Sequence, residues 1–100
     1  MKEISPINFF KLYQRKYIKI IDVREVSEFE KYHIEYSQNI PYSLLFDKPY
    51  LFLNKKYTYY IICKNGRLSK LATIHLSNIG YNVTSVMGGL DSWCGSYHNV

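Results

Sequence analysis

The segment that most constrains this chain is Tyr57-Thr58-Tyr59-Tyr60-Ile61-Ile62, which runs without a break into Cys63. β-Branched and aromatic residues occupy both pleat positions, so the strand has no face to give to water and belongs at the centre of a parallel sheet covered on both sides. After the tight stretch Cys63-Lys64-Asn65-Gly66-Arg67, apolar residues recur at helical spacing as Leu68, Leu71, Ala72, Leu76 and Ile79, until Gly80 supplies a C-terminal cap. Strand, tight loop and helix in that order make one βα unit.

The rest of the chain alternates in the same way. Ser5 as N-cap and Pro6 at the first helical position start a helix with Ile7, Phe10, Leu12 and Tyr13 as its apolar stripe, ending near Arg15. Tyr17 to Val23 is a buried-type strand that stops at charged groups. Ser27 to Tyr32 reads as a short helix capped by Ser27 with Phe29 inward, and Gln38-Asn39-Ile40 as a brief strand closed by Pro41. Ser43 to Leu53 reads as two helical turns broken at Pro49, Asn82 to Val86 as the last strand, and Gly88-Gly89 as the opening of a final helix carrying Leu90, Trp93 and Cys94. The expected fold class is α/β: a central parallel sheet of about five strands with helices on both faces.

Composition excludes several classes. With 47% hydrophobic, 17% aromatic and 21% charged residues in 100, the chain can bury a core and is expected to form one domain over 1–100 rather than a disordered segment. Cys63 and Cys94 stand far apart with no CxxC pair and no metal-ligand spacing, against a disulfide scaffold or a zinc site and in favour of a reducing compartment. The apolar runs before Tyr17 are too short for a signal peptide or a membrane span, so the expectation is a cytoplasmic protein with no membrane partner. The net charge of +5 favours anionic partners only once it is located. Lys11, Arg15, Lys16 and Lys19 read as a solvated helix face, and no base-stacking motif accompanies the 11 tyrosines, so no nucleic-acid partner is expected.

In open parallel sheets ligands collect beyond the carboxyl ends of the strands, and that position singles out Cys63. It lies at the start of a helix, where unpaired N–H groups and the helix dipole favour an anion, and Lys64, Arg67 and Lys70 add cations. A free thiol has a pKa near 8.5 and such surroundings lower it, so Cys63 is expected to be an ionised nucleophile. Gly66 suits a loop that turns its N–H groups inward around a small anion, since it tolerates positive φ and close backbone approach. Cys94 has neither setting and reads as a small hydrophobe, with a resolving role as the alternative. Asp22, Arg24 and Glu28 are expected to form a bracing charge network, His33 a structural hydrogen bond and Trp93 a core contact; His75 falls at the edge of a helix stripe and His98 in a fraying tail.

Four pieces of the sequence carry a family resemblance, in this order: Asp22-Val23-Arg24-Glu25 with Glu28-Phe29; His33-Ile34 with Asn39-Ile40-Pro41; Tyr60 to Ser69 around Cys63; and Gly80-Tyr81-Asn82-Val83 with Val86-Met87-Gly88-Gly89-Leu90 and Trp93. Together they resemble the single-domain rhodanese-like sulfurtransferases over nearly the whole chain. The resemblance implies that the Cys63 thiolate takes the outer sulfur of thiosulfate or a persulfide donor and holds it as a persulfide for a second acceptor. It implies Lys64, Asn65, Gly66, Arg67 and Leu68 as substrate-binding residues and no cofactor or metal. The partners it implies are a small anionic sulfur donor and a thiol or cyanide-like acceptor, with a protein thiol as a further acceptor.

This chain departs from the pattern at three places. Tyr32 and Tyr36-Ser37 stand where family members often have Gly and Gly-Ala, so the turns there are built differently, and Leu68 stands where many carry Arg, Thr or Ser. A leucine there removes a hydrogen-bond donor and bears on which sulfur donor is used. Two rival readings share the thiolate loop or the fold. A cysteine phosphatase or arsenate reductase needs an Arg six positions after the cysteine, where this chain has Ser69. A non-catalytic interaction module commonly loses the cysteine or the glycine loop, and this chain keeps both.

Overall fold

The computed structural model describes residues 1–98. Its strands are β1 (Lys2–Ile4), β2 (Lys19–Asp22), β3 (Gln38–Asn39), β4 (Thr58–Ile62) and β5 (Asn82–Val86), and its α-helices are α1 (Pro6–Arg15), α2 (Val26–Lys31), α3 (Tyr42–Asp47) and α4 (Arg67–Asn78). All strand pairs are parallel and the order across the sheet is β1-β5-β4-β2-β3, which puts β4 in the middle, where its unbroken apolar character requires it. Successive residues of β4 point to opposite layers. Tyr59, Ile61 and Cys63 join Ala72, Leu76 and Val83 in the layer beneath α3 and α4, while Ile62 and the partly buried Tyr60 meet Phe9, Val86 and Leu90 in the layer beneath α1. Cys63 therefore leaves the sheet on the α4 side.

The helix caps follow ordinary chemistry. Ser5 Oγ accepts the Asn8 N–H at 3.2 Å, and Gly80, at φ +97°, turns the chain after α4. Trp93 is half-buried and meets the edges of Phe10 and Tyr13, with Phe9 tilted against it.

Several local expectations are corrected. β1 is an edge strand the sequence did not announce, since Lys2 and Glu3 are exposed and only three residues pair with β5. The buried residue of α1 is Phe9, with Leu12 and Tyr13 packed beside it, whereas Ile7 is 62% exposed. α2 starts at Val26 behind Glu25 rather than Ser27, and makes no side-chain cap bond. No α-helix follows Gly88. A single 3-10 turn spans Gly89–Ser92, and its leading N–H groups are spent elsewhere: Leu90 and Asp91 donate to the carbonyls of Cys63 and Lys64, each at 2.9 Å. His98 is held by a two-way backbone bridge to His33 instead of fraying. The buried face of α4 is Ser69, Ala72, Thr73 and Leu76, and the leucines expected there, Leu68 and Leu71, face outward with Ile79.

Candidate active site

The site is built where β4 ends and α4 begins. Cys63 is buried, and its sulfur faces the turn that follows it. The Gly66 N–H points at Sγ at 3.1 Å and the Ser69 N–H at 3.4 Å, two donors that have no intrahelical partner at a helix start. Sγ lies 3.6 Å from Ser69 Oγ, which also reaches the Gly66 carbonyl at 3.1 Å and Ser85 Oγ at 3.0 Å. The sulfur thus faces two backbone N–H donors, with the Ser69 hydroxyl beside it turned to the Gly66 carbonyl.

The local sequence explains the geometry. Gly66 has φ +92°, a left-handed conformation that costs a side-chain-bearing residue, and a Cβ on it would lie 2.9 Å from the Gly88 backbone nitrogen. Asn65 Oδ1 accepts the Arg67 N–H at 3.0 Å, so this side chain closes the first turn of α4. The Gly88-Gly89 corner packs against the other side of the loop, and a Cβ on Gly89 would run into the Cys63 carbonyl oxygen.

A cleft of about 410 Å³ opens above the sulfur, lined by Val23, Arg24, Glu25, Glu28, Cys63, Lys64, Asn65, Arg67, Leu68 and Leu71. Of the residues singled out from sequence as substrate-binding, Lys64, Asn65, Arg67 and Leu68 line it, and Gly66 contributes its N–H to the sulfur from below. Lys70 is exposed but is not among the lining residues. Lys64 Nζ reaches Asp91 at 3.1 Å, and that hydrogen bond raises its pKa above the ordinary lysine value.

The opposite lip is braced as expected in part. Asp22 and Arg24 form a buried pair in which Nε and Nη2 of Arg24 donate to the carboxylate at 2.9–3.1 Å. Arg24 also reaches the carbonyls of Glu28 and Tyr32, so Glu28 joins through its backbone while its carboxylate stays out of the network. Removing either member of such a pair strands the other and costs about 3–5 kcal/mol. Asn39 Nδ2 donates to the carbonyls of Asp22 and Arg24, fastening β3 to the same corner. His33 bonds the Phe29 carbonyl through Nδ1, and His75 Nε2 lies 3.2 Å from the Phe46 carbonyl; both are structural. Cys94 is exposed, beyond the 3-10 turn.

Sequence reasoning missed Ser69 as a partner of the sulfur and Ser85 as the partner of its hydroxyl. The available signal was a serine on the apolar side of an amphipathic helix, which has to find a hydrogen bond when buried. A second groove of about 370 Å³, at the amino ends of the strands, is lined by Tyr17, Lys19, Tyr36, Tyr50 and neighbours and has no cysteine among its lining residues. Among the described residues, no group of His, Cys, Asp or Glu is arranged to hold a metal ion, and no helix is long and apolar enough to cross a membrane.

The chain as a whole is similar to known proteins. A family model described as the rhodanese-like domain matches residues 9–96. The chain is 39% identical over 75 residues to an adenylyltransferase and sulfurtransferase of Ogataea parapolymorpha, covering 74% of this chain and 19% of that protein. It is 37% identical over 79 residues to a putative sulfur carrier protein of Bacillus subtilis, covering 78% of this chain and 42% of that one. The chain therefore spans less than half the length of these curated relatives. Among solved structures, a rhodanese-related protein of Thermoplasma volcanium superposes with a TM-score of 0.87 at 29% identity, covering 98% of each chain. A rhodanese-like domain protein of Staphylococcus aureus does so with 0.86 at 27% identity, covering 100% of this chain and 99% of that one.

Proposed function

This chain belongs to the rhodanese-like domain family, homologous to sulfur-carrier and sulfurtransferase domains, and from that premise we propose that it moves a sulfane sulfur through a persulfide on Cys63. The observation that carries the proposal is the seat of the Cys63 sulfur, with Gly66 N–H at 3.1 Å and Ser69 N–H at 3.4 Å aimed at it from the start of α4. In the first half-reaction the ionised sulfur attacks the outer sulfur of thiosulfate or a persulfide, and sulfite or a thiol leaves. In the second, a thiol or cyanide-like acceptor attacks the outer sulfur now held on Cys63 and restores the resting thiolate. The amides stabilise anionic sulfur in both resting forms, so no general base is needed for attack. Arg67 and the loop backbone orient the donor, and the reaction calls on no cofactor.

Intact-mass measurement after incubation with a sulfane-sulfur donor tests this. The expected result is a gain of one sulfur atom that Cys63→Ser abolishes and Cys94→Ser retains. An adduct on Cys94 alone, or none from any sulfane donor, would favour an interaction module instead. The phosphatase alternative has no support at the required position, because Ser69 lies buried beneath the sulfur with no guanidinium to clamp a tetrahedral anion.

A further inference from the structure

The charge that faces Cys63 is far less positive than the charge of the whole chain suggests. The formal net charge is +5, yet of the three cations lining the cleft two are already neutralised. Arg24, 4% exposed, is consumed by Asp22 and by two backbone carbonyls, and Lys64 is held by Asp91. Arg67 is the one lining cation with no carboxylate partner among the described residues, and it shares the cleft with two carboxylates, Glu25 and Glu28. A dianion approaching Cys63 therefore meets little uncompensated positive charge beyond Arg67, and two carboxylates beside it.

The walls point the same way. Leu68 and Leu71, 40% and 48% exposed, stand at the cleft edge of α4 because the phase of that helix puts Ser69 and Ala72 inside. Neither leucine offers a donor to a sulfonate oxygen, whereas both gain from covering by a hydrocarbon stem. At about 410 Å³ the cleft is also far roomier than the five heavy atoms of thiosulfate require.

Resting on the sulfur-transfer reading of Cys63, we propose that the donor is an organic persulfide, R–S–SH, with an uncharged apolar stem, selected over thiosulfate by Leu68 and Leu71 together with Glu25 and Glu28. In the loading step the Cys63 thiolate forms a bond to the outer sulfur of R–S–SH while the original S–S bond breaks, its electron pair leaving on R–S⁻. The proton on the outer sulfur passes to that leaving thiolate, so the products are Cys63–S–S⁻ and R–SH, with no external oxidant or reductant. The stem belongs either to a small thiol or to a cysteine within a polypeptide.

The test measures initial rates of sulfur uptake by Cys63 in the whole chain from three probes: thiosulfate, the persulfide of N-acetylcysteine methyl ester, and a short neutral peptide bearing one cysteine persulfide. Each rate is divided by that of the same donor with a free small thiol, which removes intrinsic reactivity. At least one persulfide is expected to exceed thiosulfate tenfold or more, the small one if the carrier is a free thiol and the peptide if it is a polypeptide. Rising ionic strength is expected to leave the thiosulfate rate undiminished, since no attraction is being screened. Leu68→Arg should shift the ratio about tenfold toward thiosulfate, and Glu28→Gln, an exposed site, should shift it in the same direction. Thiosulfate loading as fast as both persulfides, a steep fall of its rate with salt, or a ratio unmoved by both substitutions would overturn the donor assignment and leave the role of Cys63 intact. Absence of sulfur on Cys63 from all three probes would overturn both.

Discussion

Ser69 and Thr73 stand one turn apart on the buried face of α4, and both carry hydroxyls into the interior, with opposite outcomes. Ser69 finds Ser85, the Gly66 carbonyl and the Cys63 sulfur, whereas Thr73 Oγ1 has no hydrogen-bond partner among the described residues. An unpaired buried hydroxyl costs stability that an apolar group of the same shape does not. Thr73→Val is therefore expected to stabilise the protein by about 1 kcal/mol, read as a rise in the urea midpoint at unchanged m-value. Tyr36 shows strain of another kind. It holds φ +72°, a left-handed conformation that costs a residue with a side chain, at the position where family members often have glycine.

At the scale of elements, the corner Gly88-Gly89 does more for the site than the helix expected there would have done. The N–H groups of Leu90 and Asp91 hold the carbonyls of Cys63 and Lys64, so the 3-10 turn acts as a clamp on the loop beside the sulfur. Gly89→Ala would drive a methyl group against the Cys63 carbonyl and within 2.7 Å of that of Lys64. It is expected to cost about 1–3 kcal/mol and to slow sulfur uptake at Cys63 more than tenfold. Gly80→Ala is the control: it also has positive φ, but the added methyl group meets only the flexible end of Lys55, so melting should fall while uptake persists. Loading rates and thermal melts on the two variants check this. The α4 stripe was misread because leucine outranks serine in any hydrophobicity argument. The observed phase instead buries Ser69, Ala72, Thr73 and Leu76 and leaves the Ser69 N–H under the sulfur.

Across the whole molecule, tyrosine hydroxyls fasten loop carbonyls. Tyr97 donates to the Leu90 carbonyl at 2.6 Å and Tyr13 to the Glu35 carbonyl at 3.1 Å. Partial burial raises the pKa of both phenols above the ordinary value of 10.0. A raised folded-state value means the neutral phenol is favoured by folding. The contribution is complete below about pH 10 and is lost as pH climbs through the higher folded-state value. Urea midpoints are expected to fall with increasing steepness above about pH 10, and Phe at both positions should flatten that decline. The two poles of the sheet also differ in charge. Asp22, Glu25, Glu28 and Asp91 offset Arg24, Lys64 and Arg67 around the cleft, whereas Arg15, Lys16 and Lys19 line grooves at the amino ends of the strands.

What the sequence determined by itself was the alternation of strands and helices, the central place of Tyr57–Ile62, and a cysteine followed by a glycine turn at a helix start. These are local matters of periodicity and backbone freedom, legible one segment at a time. Only the tertiary structure decided that Lys2–Ile4 would close the sheet edge, that α4 would rotate its leucines to the mouth of the cleft, and that Asp91 would neutralise Lys64. Each depends on groups far apart in the chain meeting in space, and charge and burial belong to such meetings rather than to residues taken singly.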